Sequence, residues 1–299
     1  MTAPAGLREV VLPAVPALGG LYLRAGAAKL RPRTGSTPST PATLPTVRLR
    51  VDGVRADPAR LTAYQHLLGE TADDRLPAGF VHVLAFPVAT ALMSRPDFPL
   101  TLLGMVHLAN RVTQHRPLLL GQELGVHAWA EDLRPHHRGA QVDLVTSVHG
   151  PDGAEAWRGV STYLAPGARL PGTERPERTD REEFHPPLPT GRWRYDADRG
   201  RRYAAVSGDA NPIHLSALSA KAFGFPRAIA HGMDTAARAL ADVGAQRGDR
   251  FTWTAEFAAP VLLPATPSVR VARDGAGFGY TVWDGRRHKL HLHGRVDPI

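Results

Sequence analysis

Cysteine is absent from the sequence. That excludes disulfides, thiolate nucleophiles and zinc–thiolate centres, and it makes a reducing compartment, the cytoplasm, the natural setting. Lysine is scarce: Lys29, Lys221 and Lys289 are the only ones, so the formal charge of +8 rests on arginines scattered along the chain. Scattered charge argues against a nucleic-acid interface, whereas arginine suits anionic ligands such as the phosphates of coenzyme A or an acidic carrier protein. No apolar run is long enough to span a membrane, so no membrane partner is expected. The stretch through Leu23 is broken by Pro13, Pro16 and Gly19-Gly20 and lacks a basic start, so it does not read as a signal peptide. Gly-x-Gly-x-x-Gly, Walker and Gly-x-Ser-x-Gly patterns are missing too. No nucleotide cofactor is therefore expected, and Ser207 is not a hydrolase nucleophile.

What is present concentrates between Tyr203 and Val243. Tyr-Ala-Ala-Val-Ser-Gly-Asp-Ala-Asn-Pro-Ile-His occupies 203–214, and Ala-Ile-Ala-His-Gly-Met occupies 228–233. Ser207-Gly208 and Asn211-Pro212 are turn dipeptides, which puts Asp209 on a tight loop. His214 then stands at the mouth of a predicted helix over Leu215–Phe223, ended by Gly224. Such a loop aims a carboxylate and an imidazole at one volume, as acid–base chemistry requires. His231-Gly232 opens another helix, with Met233, Ala236, Ala237, Leu240 and Val243 on one face. An unobstructed glycine N–H at a helix start suits a carbonyl oxygen that gains negative charge.

These two segments resemble the signature of MaoC-like (R)-specific enoyl-thioester hydratases: an aromatic residue, Ser-Gly-Asp-x-Asn-Pro-Ile-His, then a second motif over Gly224–Met233. Weaker resemblance through Leu76-Pro77, Asp97-Phe98-Pro99 and Gly104-Met105-Val106-His107 implies the two-module branch, similar to actinobacterial 3-hydroxyacyl-thioester dehydratases. The resemblance implies an α+β double hot-dog, two antiparallel sheets each wrapped around a long central helix. It implies Asp209 and His214 as catalytic dyad and Gly232 as oxyanion donor. Ser207, Asn211 and His231 are the candidate substrate-binding residues, Asn211 positioning water or hydroxyl and His231 orienting the loop. Neither a cofactor nor a metal is expected; His136-His137 and His288, His291 and His293 lack a carboxylate or cysteine at ligand spacing. The implied reaction interconverts (3R)-3-hydroxyacyl and trans-2-enoyl thioesters of coenzyme A or acyl carrier protein. The alternatives are a hot-dog acyl thioesterase and a non-catalytic acyl-thioester-binding subunit.

Length suits two modules. The expected division is an N-terminal module over 1–164 containing a mobile loop at 31–45, a linker over 165–190 and a catalytic module over 191–299. Strands are predicted at Val47–Val51, Leu124–Ala130, Gln141–Val148 and Trp157–Leu164, and again around Phe251–Phe257, Val269–Val271, Phe278–Trp283 and Leu290–Leu292. Asp57-Pro58 caps a helix reaching Leu68, and Phe80–Met93 reads as a buried helix. The halves echo each other: Tyr64…Gly69-Glu70 matches Tyr203…Gly208-Asp209, and Pro117–Gly121 matches Pro260–Pro264. With Arg75 taken as the counterpart of His214, the N-terminal copy reads as a degenerate site. The assembly expected is a monomeric double hot-dog or a homodimer.

Overall fold

A computed structural model describes residues 6–22, 43–178 and 182–299. Most of the loop expected at 31–45 lies outside these residues. In the N-terminal half, β2 (Val47–Val54) alternates buried Val47, Leu49 and Val51 with half-buried Arg48 and Arg50. The helix Pro58–Leu68 begins where the Asp57 carboxylate accepts from the Arg60 N–H, with proline at its first position. It ends at Gly69, which takes φ 76°. The central helix Ala78–Met93 is apolar almost all round and buried along nearly its whole length, as a helix wrapped by a sheet must be. Strands β3 (Val106–Gln114), β4 (Leu124–His136), β5 (Gly139–His149) and β6 (Glu155–Pro166) follow.

The C-terminal half repeats this plan. After β7 (Gly191–Arg192) come the helix Arg199–Ser207, the short helices Pro212–Leu215 and Ala217–Ala222, and the central helix Gly232–Val243. Strands β8 (Phe251–Phe257), β9 (Ser268–Asp274), β10 (Gly277–Asp284) and β11 (Lys289–Pro298) complete it. The strand order is β2-β4-β5-β6-β3 in the first half and β7-β9-β10-β11-β8 in the second. Both are the same permutation, first, third, fourth, fifth, second, around a helix inserted after the first strand. The fold is a double hot-dog.

Two expectations need correcting. The sheets are not separate: the second strands of the two halves, β3 and β8, pair antiparallel from Ala109↔Glu256 to Gln114↔Phe251. One sheet of 11 strands results, with β1 (Arg8–Val11) parallel to β2 at its edge. Pairing the two inner edges removes a strand edge from each half. It also buries Val112 and Trp253 opposite each other. The helix expected over Leu215–Phe223 is interrupted at Ser216, whose extended backbone ends one helix and caps the next.

Close packing joins the halves behind the sheet. A Cβ on Gly79 would lie 2.9 Å from that of Ala237, so this glycine lets the two central helices touch. Arg199, buried, forms two bonds to the buried Asp234 carboxylate at 2.8 and 2.5 Å and donates to the Leu67 carbonyl at 2.9 Å. Burial raises the Asp234 carboxyl above its ordinary range; the bidentate guanidinium opposes that shift, and it ties the second half to the first. Among the described residues, no helix is long and apolar enough to cross a membrane.

Candidate active site

The site forms where the helix Arg199–Ser207 stops. Gly208 takes φ 76°, a conformation cheap only for glycine, and the chain reverses into Asp209. The Asp209 N–H donates to Ser207 Oγ at 3.1 Å, and Asp209 Oδ1 accepts from the Asn211 N–H at 3.2 Å. Asn211 Oδ1 in turn accepts from the Ile213 N–H at 3.4 Å, starting the four-residue helix that carries His214. Ser207 and Asn211 thus shape the turn as well as lining the cavity described below.

His214 Nδ1 lies 2.8 Å from the Ile229 carbonyl, so Nδ1 carries the proton and the Nε2 lone pair is left free. His231 Nε2 lies 2.9 Å from the Asp209 carbonyl and 3.8 Å from Asp209 Oδ2. The two imidazoles stack with centroids 3.6 Å apart. His231 therefore orients the Asp209 loop from the start of the central helix. Burial pushes both imidazoles down, His214 to about 3 and His231 to about 4. For His214 the neighbouring imidazole reinforces the effect, while the Asp209 charge opposes it. Both rings are neutral near pH 7, which leaves the His214 Nε2 lone pair unprotonated.

Gly232 begins the central helix, whose first N–H groups have no intrahelical acceptor. A Cβ there would lie 3.0 Å from Phe257 Cε1, so the glycine keeps this approach open. Asp209, His214 and Gly232 open on one cavity of about 1440 Å³. Its walls come from both halves: His82, Phe86, His107 and Tyr163 from the first, Met233 and Phe257 from the second. Sequence reasoning did not find Tyr22, whose hydroxyl donates to Asp209 Oδ1 at 2.8 Å. No local pattern marks it, because its role exists only once the halves are folded together. One ligand atom each from Asp209, His214 and His231 lies within 4.8 Å of the others, the one such grouping among the described residues. A divalent ion would fit that set by donor type, although one nitrogen of each ring already faces a backbone carbonyl.

The first half contains the same place with different residues. Leu76 N–H to Leu118 carbonyl and Leu120 N–H to Asp74 carbonyl repeat Ala230 to Val261 and Leu263 to Ala228. Pro77 and Ala78 consequently stand where His231 and Gly232 stand, each pair at the start of a central helix. The same register corrects the reading of Arg75. It pairs with Leu119 as Ile229 pairs with Leu262, so it is the counterpart of Ile229 and not of His214. The chain runs from Gly69 to Leu76 in one half and from Gly208 to Ala230 in the other, and the longer loop brings in His214. The corresponding hollow, lined by Glu70, Arg75, Pro77 and Arg247, is only about 140 Å³.

Residues 178–291 match a family described as "MaoC like domain". The chain is 37% identical over 298 residues to 3-hydroxyacyl-thioester dehydratase X of Mycobacterium tuberculosis, spanning 99% of each protein. A crystal structure of M. tuberculosis HtdX superposes with a TM-score of 0.75 at 36% identity, covering 84% of this chain and 100% of that one. A MaoC-like dehydratase from Phytophthora capsici has the same fold, with a TM-score of 0.63 at 18% identity over 85% and 95% of the two chains.

Proposed function

The chain belongs to the MaoC-like dehydratases, and from that premise we propose that it interconverts (3R)-3-hydroxyacyl and trans-2-enoyl thioesters, with Asp209, His214 and Gly232 carrying the reaction. The observation that supports this reading best is their convergence. A carboxylate, a neutral imidazole with a free Nε2 and a helix start open on one cavity. In dehydration, His214 Nε2 takes the C2 proton and the resulting imidazolium returns it to the C3 hydroxyl, which leaves as water. Asp209 favours the charged imidazole during the transfer and holds the departing oxygen. Charge that moves onto the thioester oxygen is met by the Gly232 N–H at the positive end of the central helix.

The scattered arginines suit the phosphates of coenzyme A or an acidic carrier protein as the thiol portion. The acyl chain extends over the wall lined by His82, Phe86 and Met105 in the first half. Incubation with crotonyl- to dodecenoyl-coenzyme A tests the reading through loss of enoyl-thioester absorbance. Release of free thiol at the same rate would identify a thioesterase instead.

A further inference from the structure

We propose that Tyr22 is a positioning residue for this reaction: its hydroxyl, delivered from the first half, fixes the Asp209 carboxylate so that Oδ2 alone faces the substrate. The inference rests on the proposed role of Asp209 and adds a residue from outside both signature segments. Tyr22 is helical, as are residues 18–21 before it, and lines the cavity. Its hydroxyl donates to Oδ1 at 2.8 Å, and the Asn211 N–H approaches the same oxygen at 3.2 Å. Two donors set more than 100 residues apart therefore hold one oxygen. Oδ2 stands 3.8 Å from His231 Nε2, beyond a hydrogen bond, and that nitrogen already faces the Asp209 carbonyl at 2.9 Å.

The remaining groups around the carboxylate do not compete for Oδ1. His214 and His231 are neutral, as described above. Tyr163 and Tyr203 feel the Asp209 charge, and burial holds both phenols protonated. Arg60 is occupied by the carbonyls of Val206 and Ser207 at 2.6 and 2.8 Å. Burial, then the Asp209 charge and hydrogen bond, raise the Tyr22 phenol far above its ordinary range, so it donates at every working pH. A carboxylate held by one oxygen presents the other in a fixed direction, and catalytic geometry depends on that direction.

Three variants of the full-length chain test this. Tyr22→Phe is expected to lower kcat by roughly 10- to 100-fold, the loss of one hydrogen bond to a charged group, with KM and melting temperature little changed. Replacing Tyr22 with 3-fluorotyrosine, which keeps the hydroxyl, is expected to restore kcat to within a few-fold of the parent. The fluorine resonance then supplies a readout independent of activity: Asp209→Asn is expected to move its chemical shift, because the neighbouring hydroxyl loses a charged acceptor. An unchanged fluorine shift would overturn the contact, and a Tyr22→Phe enzyme with parental kcat would overturn its role. A parent that hydrates no enoyl thioester, with the fluorine response intact, would refute the proposed reaction and leave the contact standing.

Discussion

Glu70 and Asp209 occupy the same step of the two halves, each one residue past a glycine at φ 76° that ends a helix, and each is held by a side chain from the other half. Arg247 bonds to Glu70 at 2.8 Å, and Tyr22 bonds to Asp209 at 2.8 Å. The difference lies in access: the Glu70 side chain is 3% exposed and sealed by its guanidinium, whereas that of Asp209 is 18% exposed and faces the large cavity. One acid is closed into the contact between the halves while the other is open to the cavity.

Glu70→Gln is accordingly expected to leave kcat within a few-fold of the parent. Its cost falls on stability, about 1–3 kcal/mol, because Arg247 loses a charge partner at a largely buried position. Arg75 is not that partner; it pairs with Asp249 at the surface. Denaturant unfolding beside steady-state kinetics separates the two effects. A collapse of kcat would show that the first half still takes part in the chemistry.

Asp209→Asn and His214→Gln should each lower kcat by roughly 10²–10⁴-fold while the far-ultraviolet spectrum and melting temperature stay close to the parent. The double variant should be little worse than either single one, since the two groups serve one proton transfer. Independent, multiplicative losses would mean that they act at separate steps.

At Gly232, proline removes the N–H yet is tolerated at a first helical position. Gly232→Pro should therefore fold and lose about 2.7–4 kcal/mol of transition-state stabilisation, with some further cost from crowding Phe257. Gly232→Ala presses on the same ring but retains the N–H, so it should retain most of kcat. If both variants lose activity equally, the ring contact and not the amide is responsible.

Much of this was legible in the chain because it is local. Turn dipeptides placed Asp209, Asp57-Pro58 marked a helix start, and alternation marked most strands; the helix Arg199–Ser207 was not read from the chain. What was not legible depends on contacts distant in sequence. Tyr22 meets Asp209 across the two halves, and Arg199 meets Asp234 and Leu67 in the packed interior. Strand β3 was missed because His107 and Asn110 break its alternation, and both are accommodated only in the folded protein. His107 stacks on Tyr163, and Asn110 accepts from the Ser161 hydroxyl. The counterpart of Arg75 was misjudged because a gap of unequal length cannot be aligned without the strand register.

Acid should weaken the fold before it titrates the site. His82, His214 and His231 are buried with values near 4, 3 and 4, below the ordinary 6.5. As pH falls through about 6.5 the unfolded chain binds protons that the folded chain refuses, so stability is lost progressively from there down toward pH 4. Each such histidine contributes a slope of up to about 1.4 kcal/mol per pH unit. Denaturant unfolding from pH 8 to pH 5 measures the combined slope, and His82→Gln should remove about one proton's share. Stability that stayed level across this range would mean that the imidazoles are charged in the fold.

The last expectation concerns the second half alone, residues 182–299, which holds Asp209, His214 and Gly232. Cutting there exposes the edge of β8 that β3 covers from Phe251 to Glu256 in the intact chain. An unpaired apolar edge is a template for association. It also uncovers the Trp253 and Ala237 faces that pack on Val112 and Gly79, and it removes the His107 and Tyr163 wall of the cavity. Tyr22 and Arg60 are lost as well, leaving the Asp209 loop without either of its supports from the first half. The fragment should therefore precipitate or self-associate, and what remains in solution should turn over far more slowly than the full chain. Sedimentation and enoyl-thioester kinetics on one preparation decide the matter. A monomeric fragment with parental kcat would show that a single hot-dog suffices and that the contacts across β3 and β8 serve only solubility.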